Sequence, residues 1–139
     1  MTEKTVAQKL QVKAGDRVLV VGGTPEEQAL LGELPAGAAA MSSARAPGEA
    51  DAAGAAIAVT FVHSRDELLA RYASELPSLS GARAVWFLYP KGGRADVNRD
   101  VIMREAGAFG WRANSNVSVD DGWSAVRVRP LADGEASVG

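Results

Sequence analysis

The sequence predicts an α/β fold. The expected form is a compact three-layer sandwich on a mostly parallel sheet of about five or six strands, closed by a C-terminal antiparallel hairpin. Three observations predict it. Short apolar runs rich in β-branched residues, at Val18–Val21, Ala56–Val62 and Ala84–Tyr89, read as strands buried on both faces. Capped amphipathic segments alternate with these runs, which puts helices against the sheet. After the last helix, two alternating segments flank Asp120-Asp121-Gly122, whose residue types suit a turn.

The elements follow in order. Residues 1–9 read as a polar arm, and Lys13–Asp16 as a turn. Arg17–Val21 is the first strand, ending in Gly22-Gly23. Thr24-Pro25-Glu26-Glu27 then starts a helix over about 25–33: Thr24 caps, Pro25 fits the first helical position and Glu27 completes a capping box. Ala38–Met41 is a short, weak strand, and the Ala-, Gly- and Ser-rich residues 42–54 read as a loop. Behind Ala56–Val62, Ser64 and Glu67 form another capping box. Leu68, Leu69, Tyr72, Ala73 and Leu76 fall on one helical face, and Pro77 marks the exit. Asp96 or Asn98 caps a helix over about 97–109, which Gly110 stops. Asn116–Val119 and Trp123–Arg129 form the hairpin, and residues 132–139 a frayed tail. Residues 10–131 thus make one domain. Strands joined by right-handed helical crossovers give a Rossmann-like layout, with a ferredoxin-like α+β arrangement as the alternative.

Composition removes several function classes. The chain has no cysteine, which excludes disulfides, thiolate catalysis and cysteine-bound zinc. His63 is the only histidine, so no polyhistidine metal site forms within one chain. The net charge of −2 offers no global attraction to nucleic acid or anionic lipid. No apolar run approaches the roughly 20 residues of a membrane span. The N-terminus carries no signal-peptide core. A cytoplasmic protein without resident cofactor, nucleic acid or membrane partner is expected.

In an open α/β sheet, ligands bind beyond the carboxyl ends of the strands. That rule selects Gly22-Gly23, His63-Ser64, the Lys91–Arg94 loop and Asp120-Asp121. Gly22 and Gly23 allow close backbone approach before a helix start, but neither phosphate-loop fingerprint is present and Glu26 and Glu27 oppose an anion. Lys91 and Arg94 surround two glycines just ahead of Asn98, Arg99 and Asp100, so a phosphate or carboxylate fits between Lys91, Arg94 and Arg99. The plainer alternative is a solvated loop whose cations pair with Asp96 and Asp100. His63 has the intrinsic basicity of an acid–base catalyst, but the sequence gives it no partner, and Ser64 is better explained as a cap. Asp120 and Asp121 lack a metal-ligand spacing and suit a turn. Trp86 and Trp111 read as packing, while Trp123 at a strand start near the ligand edge has the position to stack on a ring.

The strings Trp86–Lys91, Asp96–Val101 and Val117–Arg127 resemble a family of small bacterial proteins of unknown function. Gly15–Gly22 and Ser64–Leu69 fit the same pattern. The resemblance implies a shared fold and no substrate. It singles out Tyr89, Pro90, Lys91, Asn98, Arg99, Asp100, Trp123, Ser124 and Arg127. The order of elements is also similar to methyltransferase-like sheets, although the glycine-rich methyl-donor loop and the acid on the second strand are not evident.

The first expectation is a non-catalytic binding or regulatory module for a small anion or a protein partner, built on Lys91–Asp100 and Trp123–Arg127. The alternatives are a subunit that dimerises through its edge strand or tryptophans, and a small enzyme using Lys91, His63, Arg99 and Asp100 around one degenerate nucleotide-type pocket at the carboxyl edge of the strands, with His63 as acid or base.

Overall fold

The computed structural model describes residues 6–22, 29–32, 34–43, 56–79, 84–91, 96–119 and 122–130. They form α1 (Val6–Lys9), β1 (Arg17–Val21), a 3₁₀ turn (Ala29–Leu31), β2 (Ala39–Ser43), β3 (Ile57–Phe61), α2 (Arg65–Leu79), β4 (Ala84–Pro90), α3 (Arg99–Ala106), β5 (Trp111–Ser118) and β6 (Trp123–Pro130). Most of the helix expected over 25–33 and most of the loop expected over 42–54 lie outside the described residues, as does the 132–139 tail.

The six strands form one sheet in the order β2-β1-β3-β4-β6-β5. The β1–β2, β1–β3 and β3–β4 ladders are parallel, whereas β4–β6 and β5–β6 are antiparallel. The sheet is therefore mixed rather than mostly parallel. The hairpin causes this, because β6 inserts between β4 and β5 and contributes two antiparallel ladders. The strand order also disposes of the ferredoxin-like alternative.

Strand alternation sorts the core into two layers. On one face Leu19, Val21, Ala58, Val85, Phe87, Val126 and Val128 meet Leu68, Tyr72 and Leu76 of α2 and Ile102 and Ala106 of α3. On the other, Val18, Val20, Ile57, Val59, Trp86 and Leu88 meet Leu10, Val12 and Leu31. Trp86 Nε1 donates to the Leu10 carbonyl at 2.9 Å, which ties the N-terminal segment onto the second face. No helix among the described residues is long and apolar enough to cross a membrane.

Both helix starts follow the sequence. Ser64 Oγ accepts from Glu67 N–H, and Asn98 Oδ1 accepts from Val101 N–H at 3.0 Å. Gly110, at φ 77°, takes the left-handed conformation that ends the second helical segment. Three boundaries differ from expectation. α2 runs past Pro77 to Leu79. The 97–109 segment divides into α3 and a 3₁₀ turn, Gly107–Phe109. β5 begins at Trp111, since Arg112–Asn116 lies on the sheet's outer strand and lacks a buried alternation.

Candidate functional site

Four parallel strands and the hairpin bring the carboxyl-end segments to one edge. Pro90 pairs with Trp123, and Lys91 N–H donates to the Gly122 carbonyl at 2.9 Å. The hairpin turn thus stands beside the end of β4. The candidate residues at this edge nevertheless separate into distinct places.

His63 follows β3 and meets Glu67. Its ring Nδ1 lies 2.8 Å from Glu67 Oε1, and the same oxygen accepts from His63 backbone N–H at 2.7 Å. The His63 side chain is 42% exposed, so the pair is open to solvent. Trp123 stands edge-on to it at 5.6 Å and edge-on to Phe61 at 5.5 Å. The sequence carries this partner in plain view: Glu67 lies four positions on, one helical turn away. Read as a capping residue, it leaves His63 alone. In the fold it binds His63 rather than reaching the Ser64 amide.

Lys91 Nζ donates to Ser118 Oγ at 2.5 Å. Asp96 accepts from Arg65 N–H at 2.7 Å, which fastens the segment before α3 to the start of α2. Gly23 and Arg94 lie outside the described residues, as do Asp120 and Asp121. Among the described residues no cluster of acids and histidine is arranged to hold a metal.

Gly22 occupies the point where the chain order reverses between β1 and β3, the place where open α/β sheets bind nucleosides. Its φ is +70°, which favours glycine. A β-carbon here would lie 3.2 Å from the Phe61 carbonyl and 3.3 Å from an Arg71 guanidinium nitrogen. A cation from α2 therefore stands at this crevice.

Trp123, Ser124 and Arg127 do not share a surface. Alternation along β6 places Trp123 and Ala125 on the α1 side and Val126 and Val128 on the α2–α3 side. Arg127 belongs with Trp123; its Nη1 donates to Gln11 Oε1 at 3.0 Å. Ser124 belongs with Val126, and its hydroxyl donates to the Val117 carbonyl.

Asn98, Arg99 and Asp100 are brought together at the start of α3. Arg99 and Asp100 line an open cleft of about 710 Å³, and all three line a smaller adjoining one of about 270 Å³, between α3 and β5. The larger cleft is lined by Arg99, Asp100, Met103, Arg112, Ser115, Asn116 and Arg129, among others. The smaller is lined by Tyr89, Asn98, Arg99, Asp100 and Asn116. Three arginines from three elements thus line the cleft together with one aspartate. Asp100 answers Arg99 at 3.5 Å, an exposed pair of little energetic weight. Met103, 37% exposed, is the large apolar side chain left at the surface among the described residues.

Register places two of those arginines. From Ser118↔Ser124 to Ser115↔Arg127 the hairpin pairs without interruption; the ladder then shifts by one residue between Ala113 and Ser115. This bulge puts Ala113 opposite Val128 and Arg112 opposite Arg129. Without it, Arg112 would face Pro130. No local pattern in the sequence signals this shift, so sequence reasoning does not reach Arg112 and Arg129 as site residues.

No family model matches the chain, and no curated protein matches it. Solved structures do. A Streptococcus agalactiae protein of the NADB-Rossmann superfamily aligns over 100% of this chain and 71% of its own, with a TM-score of 0.59 at 9% identity. A Streptococcus pneumoniae protein provisionally described as a tRNA (m1A22) methyltransferase aligns over 100% and 73%, with a TM-score of 0.61 at 10% identity. The particular bacterial family suggested by the sequence strings thus finds no support, whereas the chain's Rossmann-like layout is shown.

Proposed function

We propose that this chain is a small-molecule-binding domain whose ligand is an anion held in the cleft between α3 and β5. One observation carries the reading: Arg99, Arg112 and Arg129, from α3, β5 and β6, line one cleft on a chain whose net charge is −2. Guanidiniums offer five donors in a planar fork suited to phosphate and carboxylate. Arg112 and Arg129 sit directly opposite each other across the β5–β6 ladder. The arginine site expected around Lys91 and Arg94 is thereby moved along α3, keeping Arg99 as its common member. Backbone amide shifts on titration with inorganic phosphate test the reading. Shifts centred on Arg99, Asp100, Arg112 and Arg129 support it; shifts centred on Gly22 and His63, or none at all, overturn it.

A second reading, a small enzyme, is favoured by the exposed His63–Glu67 pair and by the likeness to a methyltransferase. Neither observation supports a non-catalytic chain. In this reading Glu67 orients His63, which exchanges protons with a substrate at the strand edge. The described residues do not fit a methyl-donor cofactor at the β1–β3 crevice. Arg71 would repel a sulfonium there, and β2, Ala39–Ser43, contains no acid for ribose hydroxyls. The enzyme reading therefore rests on proton transfer alone. Binding of S-adenosylmethionine with amide shifts at Gly22 and His63 would reverse that preference.

A further inference from the structure

We propose that the ligand of the α3–β5 cleft is a nucleoside monophosphate, an anion joined to a planar ring with a donor–acceptor edge. This rests on the anion reading above and narrows it. The two clefts are contiguous, since Arg99, Asp100 and Asn116 line both. Their chemistry differs. The larger is lined by three arginines and Met103, residue types that suit a phosphate and a polarisable ring face. Apart from Arg99 and Asp100, the smaller is lined by the neutral groups of Tyr89, Asn98 and Asn116.

Two of those neutral groups are held by the protein in a defined sense. Asn116 Nδ2 faces the sheet: it donates to the Ala125 carbonyl at 2.9 Å and lies 3.3 Å from Ser124 Oγ and 3.4 Å from Tyr89 Oη. Its Oδ1, across the planar amide, is left as the acceptor. Asn98 is fixed the other way. Its Oδ1 caps Val101 N–H, which leaves Nδ2 as the donor. One donor and one acceptor along a single pocket match an amide-like edge such as that of adenine. A bare phosphate uses none of this. The two volumes together fall within the roughly 300–1,000 Å³ typical of small-ligand sites.

Calorimetric titration of the full chain with AMP, adenosine and inorganic phosphate separates the possibilities. AMP is expected to bind about tenfold or more tightly than either fragment, since it engages both compartments. Asn98→Ser keeps a capping oxygen but removes the amide donor, and should weaken AMP about threefold to tenfold while leaving phosphate unchanged. Arg129→Gln should weaken both, with Arg112→Gln as its replacement if that variant melts early. Equal binding of AMP and phosphate, both indifferent to Asn98→Ser and both weakened by Arg129→Gln, overturns the nucleotide inference and leaves the anion reading standing. Binding of neither, or binding indifferent to Arg129→Gln and Arg112→Gln, overturns both.

Discussion

Arg112 and Arg129 stand opposite each other across the β5–β6 ladder, brought there by a one-residue bulge at Ala113–Ser115. Like charges directly opposed in a sheet are unfavourable by a few tenths to about 1 kcal/mol. Replacing one, as in Arg112→Thr, should therefore raise stability in low-salt buffer by that amount. The gain should shrink with added salt, which screens exposed charges beyond roughly 10 Å at 0.1 M. Urea unfolding at two ionic strengths checks this. A destabilised Arg112→Thr would show that the pair is already neutralised within the protein.

Tyr72 is buried with its hydroxyl donating to the Ile102 carbonyl at 2.8 Å. Burial, reinforced by the nearby Glu105 carboxylate, raises its ionisation far above the ordinary phenol range. The folded chain then holds this proton after the unfolded chain has released it. The associated stability is fully present below about pH 10 and is lost as pH rises above it, by about 1.4 kcal/mol per unit. Tyr72→Phe should cost about 1–2 kcal/mol at neutral pH, because the Ile102 carbonyl loses its partner. It should also flatten the alkaline limb of the stability curve. Equal alkaline slopes in both proteins would contradict the assignment.

Thr60 points into the α2 face of the sheet with its hydroxyl fully buried and without a hydrogen-bond partner among the described residues. Thr60→Val keeps the shape and removes the unmet group. A gain of about 1 kcal/mol in chemical unfolding is expected. A loss would mean that the hydroxyl has a partner in the folded protein.

The Trp86–Leu10 bond joins positions far apart in sequence and fastens the N-terminal segment over the second core layer. Trp86→Phe removes the bond and leaves a void, at an expected cost of about 2–3 kcal/mol. Limited trypsin digestion offers a local readout. Cleavage at Lys9 and Lys13 should accelerate more than cleavage at Arg65 and Arg104. Uniform acceleration would mean that the bond contributes only to global stability.

Much of the fold was legible because its signals are local. Val18–Val21, Ile57–Phe61 and Ala84–Tyr89 carry continuous apolar runs, and Ser64 and Asn98 announce their helices by capping chemistry alone. β5 was legible only in its second half, because an outer strand with one bulge does not alternate over Arg112–Asn116. The candidate cleft was half legible. Asn98, Arg99 and Asp100 follow from the helix start, whereas Arg112 and Arg129 depend on a register that no local pattern records. Trp123, Ser124 and Arg127 are close in sequence, yet period-two alternation sends Ser124 to one face of the sheet and Trp123 and Arg127 to the other.

The central claim is that the α3–β5 cleft holds an anion, and thermal melting against phosphate concentration tests it most directly. Phosphate at about five times its dissociation constant adds about 1 kcal/mol. In a domain of this size that is a rise of roughly 3–5 °C. The account predicts this rise in the native chain and none in the double variant Arg112→Gln/Arg129→Gln. An equal rise in both proteins, or no rise in either, would contradict it.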